Sequence, residues 1–180
     1  MSKRLKESLK DFLKLGVITA VIFVLTNVFV GELMVISGSS MEPNFHDNEQ
    51  ILSEKISYRF TQPRRGQIVV VKHPTEKGRL IIKRIVGLPG ETMLISHGQI
   101  FIDGTKLEEP YMPLEVDSEG RNAIPTGVNF KIPENSYVVL GDNREDSIDS
   151  REWGPINKNS IIGRTILVYY PLTEFRIVTF

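Results

Sequence analysis

Residues 80–91 read LIIKRIVGLPGE, a run of β-favouring side chains that ends in a Pro-Gly turn signal. Alternate side chains of an extended strand point to opposite faces of a sheet, so Lys83 lies between Ile81 and Ile85 on one face. Both faces are otherwise apolar, and burial of Lys83 there would lower the pKa of its amine through desolvation. The alternative is an edge strand, from which Lys83 would reach water with an ordinary pKa.

The chain after residue 32 repeats this kind of pattern. Short β-rich runs alternate with Gly, Pro, Asn and Asp, and helical periodicity is absent from residue 33 on. The runs are residues 33–37, 50–54, 67–72, 80–87, 92–96, 99–102, 136–140 and 161–170. They predict a mainly β domain, an antiparallel barrel or paired sheets, with a hairpin over 92–102. Prolines and acidic residues predict a loop-rich β insertion at about 97–135.

The N-terminal region differs in both charge and hydropathy. Residues 1–14 carry five cations and two acids, and residues 15–31 form a run of 17 residues without a charge. A helix of about 17 to 25 apolar residues spans a bilayer core. The run is longer than the apolar centre of most cleaved signals and closes in bulky side chains, which favours a retained transmembrane helix over a cleaved signal or a buried core helix. The basic flank predicts a cytoplasmic N-terminus and an extracytoplasmic domain over residues 32–180 at the cell membrane.

Composition excludes several other classes of protein. The 180 residues include 22 basic and 22 acidic side chains, and this balance argues against a nucleic-acid partner. The absence of cysteine excludes thiol catalysis, disulfides and thiolate metal sites. The three histidines include no i, i+4 pair, so a zinc-protease helix is excluded as well. We expect neither a metal nor a cofactor.

Two further segments carry candidate chemistry. Residues 37–43 read SGSSMEP, which is either a polar turn or a turn that presents a serine and backbone N–H groups to a substrate. Residues 141–154 read GDNREDSIDSREWG and contain three aspartates, two arginines and the only tryptophan. This segment is either a solvated charged loop or a paired network. From the residues alone, both alternatives stay open in each segment.

Together with RGQIVVVKHP at residues 65–74, these segments resemble in order the motifs of the bacterial type I signal peptidases, membrane-bound serine proteases with a Ser–Lys dyad. The resemblance covers about residues 1–172 and is weakest over 105–135. It implies a β catalytic domain of the signal-peptidase and LexA-like type. It also implies an endopeptidase that removes N-terminal signal peptides from exported preproteins at the outer face of the cytoplasmic membrane, through an acyl-enzyme. The implied partners are preprotein signal peptides and membrane lipid.

The same resemblance assigns roles to particular residues. It implies Ser40 as the nucleophile and Lys83 as the general base, with Ser147 hydrogen-bonded to Lys83. It implies Asp149 and Arg151 as a structural pair behind the site. Two further members of this network would be Asp142 and Arg84.

The substrate is expected to add as an extended strand beside residues 34–38 and 80–83. The resemblance implies shallow apolar pockets for small side chains, lined by Met34, Ile36, Met41, Leu80 and Ile82.

The chain departs from the family pattern at four positions. Asn44 stands where threonine is usual, and Gln67 and Glu91 stand where aspartate is usual. Gly38 occupies the position at which some members carry a serine that helps to hold the oxyanion. The resemblance therefore implies the backbone N–H of Ser40 as one oxyanion donor and leaves the second donor open.

Two alternatives of other classes remain. A LexA-like self-cleaving Ser–Lys regulator shares the β core, but such regulators are soluble and carry a DNA-binding helical domain. A membrane-tethered β domain with a binding or structural role would need no catalysis. Turnover of a preprotein distinguishes both alternatives from the peptidase.

Overall fold

The computed structural model describes residues 3–29, 31–112 and 117–179. Residues 1 and 2 of the predicted basic segment, residue 30 of the predicted transmembrane run, residues 113–116 of the predicted insertion, and residue 180 lie outside this range. The chain begins with helix α1 (Lys3–Phe29), which contains most of the uncharged run. Among the described helices, none combines the length and apolar character that crossing a membrane requires.

The larger sheet has eight strands and forms the body that carries the candidate motifs. Its strands are β1 (Gly31–Val35), β2 (Gln50–Glu54), β3 (Ile68–Lys72), β4 (Leu80–Gly87), β9 (Ser136–Leu140), β10 (Ile156–Asn157), β11 (Ile161–Tyr170) and β12 (Arg176–Ile177). The hydrogen-bonded order is β1-β2-β11-β3-β4-β9-β10, and β12 pairs with β11. All of these pairings are antiparallel, so the predicted antiparallel β class is confirmed.

A smaller sheet corresponds to the predicted insertion. It consists of β5 (Thr92–Ser96), β6 (Gln99–Ile102), β7 (Thr105–Lys106) and β8 (Phe130–Lys131), in the order β7-β6-β5-β8. The first two strands form the expected hairpin, with Ser96 opposite Gln99. Because β5 belongs to this sheet, the sheet begins before position 97.

Short helices complete the described elements. They are α2 (Ser57–Phe60), α3 (Ser150–Trp153) and the 3-10 turns Lys158–Ser160 and Leu172–Glu174. The N-cap of α3 is Asp149, whose carboxylate accepts the backbone N–H of Arg151 at 3.2 Å. This cap places Asp149 and Arg151, which are expected to form a structural pair, at the start of α3.

Strand β4 lies in the middle of the larger sheet, but only part of it has neighbours on both sides. It pairs with β3 over Leu80–Arg84, whereas its pairing with β9 begins at Arg84. Residues 80–83 therefore have a described strand on one side only. The open side is available for an added strand, and a substrate strand is predicted at this place.

Apolar side chains from both faces of the larger sheet form separate cores. Ile82 packs in a buried cluster with Ile36, Met41 and Val70. Ile85 packs on the other face with Val69 and its neighbours in a second cluster. The alternation predicted for β4 thus places apolar side chains on both sides, and Lys83 lies within this buried stretch.

Candidate active site

The structure brings together Ser40 and Lys83, which are 43 residues apart in the sequence. Ser40 lies in the turn after β1, and Lys83 extends from β4 so that its Nζ is 2.7 Å from Ser40 Oγ. Lys83 is 3% exposed, so its interpretation as a solvated edge residue is wrong. A serine hydroxyl in direct contact with a buried amine has the geometry that activation of a nucleophile requires.

The pKa of Lys83 is lowered from its ordinary value of 10.5 to about 8. Desolvation by burial is the main cause, because removal from water penalises the charged ammonium. The charges of Asp149 and Asp142 raise the pKa and oppose this effect, whereas those of Arg151 and Arg79 lower it further. An amine with this pKa is available in its neutral form near neutral pH.

The turn that carries Ser40 is fixed by the segment after β9. Asn143 donates its backbone N–H to the carbonyl oxygen of Ser40 at 3.2 Å, and its side-chain amide to the carbonyl oxygen of Ser39 at 3.3 Å. Ser39 Oγ donates to Asp146 Oδ2 at 2.6 Å. The turn itself needs glycine at position 38, where φ is 94°.

Gly141 allows two parts of the site to approach closely. A Cβ atom at this position would lie 2.2 Å from Ser147 Oγ and 2.4 Å from the carbonyl oxygen of Ser40. Both distances are far below van der Waals contact. Only glycine fits here without displacing Ser40 or Ser147.

Asp149 and Arg151 form a buried pair. Arg151 donates Nε to Asp149 Oδ1 at 2.9 Å and Nη2 to Asp149 Oδ2 at 2.8 Å. The backbone N–H of Gly141 also donates to Asp149 Oδ2, at 3.1 Å. Although burial raises the pKa of Asp149, these hydrogen bonds and the charge of Arg151 hold it below its usual value. Asp149 therefore keeps its negative charge beside Lys83.

Ser147 is placed differently from the expectation. It is 1% exposed, but the expected hydrogen bond to Lys83 is not formed, and its Oγ has no well-aligned partner among the described residues. The hydroxyl is close enough to Asp149 to help lower the pKa of that carboxyl. The reason for the missing bond is that the hydroxyl lies against Gly141, while Lys83 Nζ is directed at Ser40.

Arg84 and Asp142 form a second buried ion pair, separate from that of Asp149 and Arg151. Arg84 Nε and Nη2 donate to the two carboxylate oxygens of Asp142 at 2.7 and 2.6 Å. Asn44, one of the departures from the family pattern, donates its side-chain amide to the same carboxylate at 2.8 Å. Asn44, which follows the turn that carries Ser40, therefore links this turn to Asp142.

A cleft of about 830 Å³ runs past Ser40 and Lys83. Met34, Leu80 and Ile82 line it, as expected. Ile36 and Met41 do not. They are 2% and 0% exposed because both are covered within the core cluster of Ile82. Ile36 lies on the same face of the chain as Met34, and its backbone pairs with Glu49 and Asn48.

Sequence reasoning missed several residues of the site. His73 and Trp153 line the cleft, with ring centroids 6.5 Å apart, and Asp146 and Ile148 line it as well. Buried Arg144 donates Nε to the carbonyl oxygen of Gly141 at 3.0 Å. Arg144 and Asp146 lie in the charged segment 141–154, so its charge density was the one available signal. His73 lies in the motif RGQIVVVKHP at residues 65–74, but nothing in that motif assigned a role to it.

Among the residues that the structure describes, no three His, Asp or Glu side chains are placed together so that they could hold a metal ion. A serine hydroxyl held by a buried lysine amine on a β scaffold defines a serine hydrolase with a lysine base. The comparisons with known proteins lead to the same class. The family described as signal peptidase, peptidase S26, matches residues 9–170, and the chain belongs to this family.

Individual relatives agree with the family assignment. A signal peptidase I of Leptolyngbya laminosa is 39% identical over 154 residues, which cover 81% of this chain and 72% of the relative. A signal peptidase I of Bacillus amyloliquefaciens is 35% identical over 175 residues, covering 95% and 93%. The crystal structure of a signal peptidase I from Enterococcus faecalis V583 is 30% identical with a TM-score of 0.50, covering 58% of this chain and 97% of that one. The chain is accordingly a serine endopeptidase that cleaves signal peptides from preproteins.

Proposed function

We propose that Ser40 is the nucleophile and Lys83 the general base of signal-peptide cleavage. The observation that carries this assignment is the 2.7 Å contact between Lys83 Nζ and Ser40 Oγ in a buried setting. When Lys83 is neutral, the Ser40 hydroxyl donates to Nζ along the same line. The pair is then ready for attack on a carbonyl carbon.

The chemistry needs one proton carrier. Ser40 Oγ forms a bond to the scissile carbonyl carbon while its proton passes to Lys83 Nζ. Lys83 then returns the proton to the leaving amine as the peptide bond breaks, which leaves an acyl-enzyme on Ser40. A water molecule then gives a proton to Lys83 and attacks the ester carbonyl carbon. The bond from that carbon to Ser40 Oγ breaks, Lys83 returns the proton to Ser40 Oγ, and the signal peptide leaves as a carboxylic acid that ionises in water. The backbone N–H of Ser40 is proposed as one donor to the oxyanion.

The surrounding pairs support this base by charge and position. We assign Asp149 and Arg151 as the structural pair behind Lys83, because Asp149 also accepts the backbone N–H of Gly141 beside Ser40. Ser147 is assigned a supporting role through packing against Gly141 and its effect on Asp149.

The preprotein segment before the cut is proposed to bind as a strand in the cleft. The open side of residues 80–83 supplies unpaired backbone groups, and the cleft contains Met34, Leu80 and Ile82. These apolar side chains favour small apolar residues near the cut. Ile36 and Met41 would act from behind this surface, as packing for Ile82.

Residues 15–31 are proposed as a retained membrane anchor. The support is the 17-residue uncharged run with its basic flank and the position of most of this run within α1. Residues 1–14 would be cytoplasmic and residues 32–180 extracytoplasmic, next to membrane lipid. External protease added to intact spheroplasts should digest the domain beyond Glu32, and full protection of this domain would contradict the topology.

The test of the catalytic assignment is a preprotein cleavage assay with two serine variants. Ser40→Ala should lose activity by many orders of magnitude and stay folded, because only the reacting oxygen is removed. Ser37→Ala is the matched control, since Ser37 is exposed in the same turn and lines the same cleft. Normal turnover by Ser40→Ala would refute the assignment.

A further inference from the structure

Residues 109–112 form a bracing segment that contacts segment 141–154, strand β4, and Asn44, which directly follows segment 37–43. The Glu109 carboxylate pairs with Arg144 of segment 141–154, with Oε1–Nη2 at 2.5 Å and Oε2–Nη1 at 3.1 Å. The Tyr111 hydroxyl donates to the same carboxylate at 2.5 Å.

Tyr111 makes the other two contacts. Its ring lies under the guanidinium of Arg84, with Cζ 3.8 Å from the ring centroid, which is close enough for a cation–π interaction. Its backbone carbonyl accepts the side-chain amide of Asn44 at 3.0 Å, and that amide also donates to Asp142. Tyr111 therefore contacts both Asn44 and Arg84, and each of these residues donates a hydrogen bond to Asp142.

Tyr111 is not among the described residues that line the cleft, so its contribution to the reaction is indirect. Three partners contact the guanidinium of Arg84: the Asp142 carboxylate, the carbonyl of Gly66 at 2.9 Å, and the Tyr111 ring. We propose that Tyr111 is a positioning residue that keeps Arg84 paired with Asp142 and thereby sets the charge that the base experiences. This proposal rests on the proposed role of Lys83.

The charges around Lys83 show how this effect would act. Asp149 and Arg151 face it from the start of α3, Asp142 from the segment after β9, and Arg79 from the turn before β4. Asp142 raises the pKa of Lys83, and its own charge is compensated by Arg84. If the ring under Arg84 is lost, the Arg84–Asp142 pair loosens and Asp142 acts more strongly on Lys83. Lys83 then keeps its proton up to a higher pH.

The experiment is a preprotein cleavage assay of the full chain from pH 6 to 10 with variants at position 111. Tyr111→Leu should move the rising limb of kcat to higher pH by about half a pH unit. It should lower kcat at pH 7 by about threefold, with KM unchanged because the cleft is intact. Tyr111→Phe keeps the ring under Arg84 and should restore the limb.

The matched control is Tyr58→Leu, because Tyr58 is also a half-buried tyrosine with a hydrogen-bonded hydroxyl, to Gln67 at 2.7 Å, and touches none of these residues. Tyr58→Leu should leave the rising limb of kcat at its wild-type pH. If Tyr111→Leu fails to fold, Asn44→Ala, which frees the Asp142 carboxylate from one donor, should give the same upward shift. A limb unchanged in Tyr111→Leu, or a shift equally large in Tyr111→Phe, would overturn the proposal.

Failure of this proposal is distinguishable from failure of the catalytic assignment. An active Ser40→Ala enzyme would remove the assignment itself. An inactive Ser40→Ala enzyme together with a Tyr111→Leu limb at the wild-type position would leave the assignment intact and remove only the role of Tyr111.

Discussion

Replacement of Lys83 by arginine preserves charge and removes the capacity to act as a base. With a pKa of about 8, Lys83 is about one tenth neutral at pH 7, against about one part in several thousand for a lysine at 10.5. A guanidinium stays protonated at every workable pH. Lys83→Arg should therefore lose the whole general-base contribution, about 10²- to 10⁴-fold, and the activation of Ser40 in addition.

The assay is steady-state cleavage of a preprotein from pH 6 to 10. The wild-type rate should rise with pH along a limb whose midpoint lies near 8. Lys72→Arg is the matched control, because Lys72 is an exposed lysine of the neighbouring strand. The cleavage rate of this variant should equal that of the wild type. Wild-type-like activity of Lys83→Arg, or a wild-type limb centred near 10.5, would refute the buried-base reasoning.

The lowered pKa of Lys83 also affects the free energy of unfolding, and the sign of this effect is definite. The folded chain releases the Lys83 proton at about pH 8, whereas the unfolded chain releases it near 10.5. The unfolded state thus binds more protons between these values, so the free energy of unfolding rises with pH across this window and is reduced as pH falls through about 8. Lys83→Met removes the buried charge and should raise stability by up to about 3 kcal/mol at pH 7. The gain should shrink toward pH 10, as measured by denaturant unfolding of both proteins.

Three further outcomes are expected. Ser147→Ala should slow cleavage less than Ser40→Ala in the same assay, because both reacting groups remain; an equal loss would contradict this. Gly141→Ala should lower cleavage and destabilise by about 1 to 3 kcal/mol, since its Cβ would lie 2.4 Å from the Ser40 carbonyl oxygen, and a wild-type melting temperature would argue against that close approach. Asp149→Asn should destabilise by about 3 to 5 kcal/mol in denaturant unfolding, because buried Arg151 loses its charged partner, and a change below about 1 kcal/mol would contradict a buried pair.

Much of the fold could be predicted from the sequence, because it depends on neighbouring residues. The alternation around Lys83 and the Pro-Gly turn after it indicate a strand at residues 80–87, and the structure has β4 at those positions. The hairpin over 92–102 follows from two short β-rich runs with His97-Gly98 between them. Side-chain periodicity and turn preference act over a few residues, so they are legible without a tertiary structure.

How deeply a side chain is buried was less accessible. Met34 and Ile36 follow the period-two alternation onto the same face and pack against the same cluster, but only Met34 lines the cleft, whereas Ile36 is fully covered. The same limit applies to Ser147, whose position in a loop is set by Gly141 and Asp149 rather than by its own neighbours. A loop residue's direction depends on what packs against it, which local pattern does not specify.

The residue types of the site, the strand that carries Lys83 and the order of the segments around it can all be read from the amino-acid sequence. Tertiary structure alone decided that Ser40 Oγ lies 2.7 Å from Lys83 Nζ, that this amine is desolvated, and that Tyr111 lies under Arg84. These facts join residues that are distant in the chain. Their burial and distances arise only when the sheet closes around them, because desolvation and pairwise charge depend on all the atoms that surround a group rather than on its sequence neighbours.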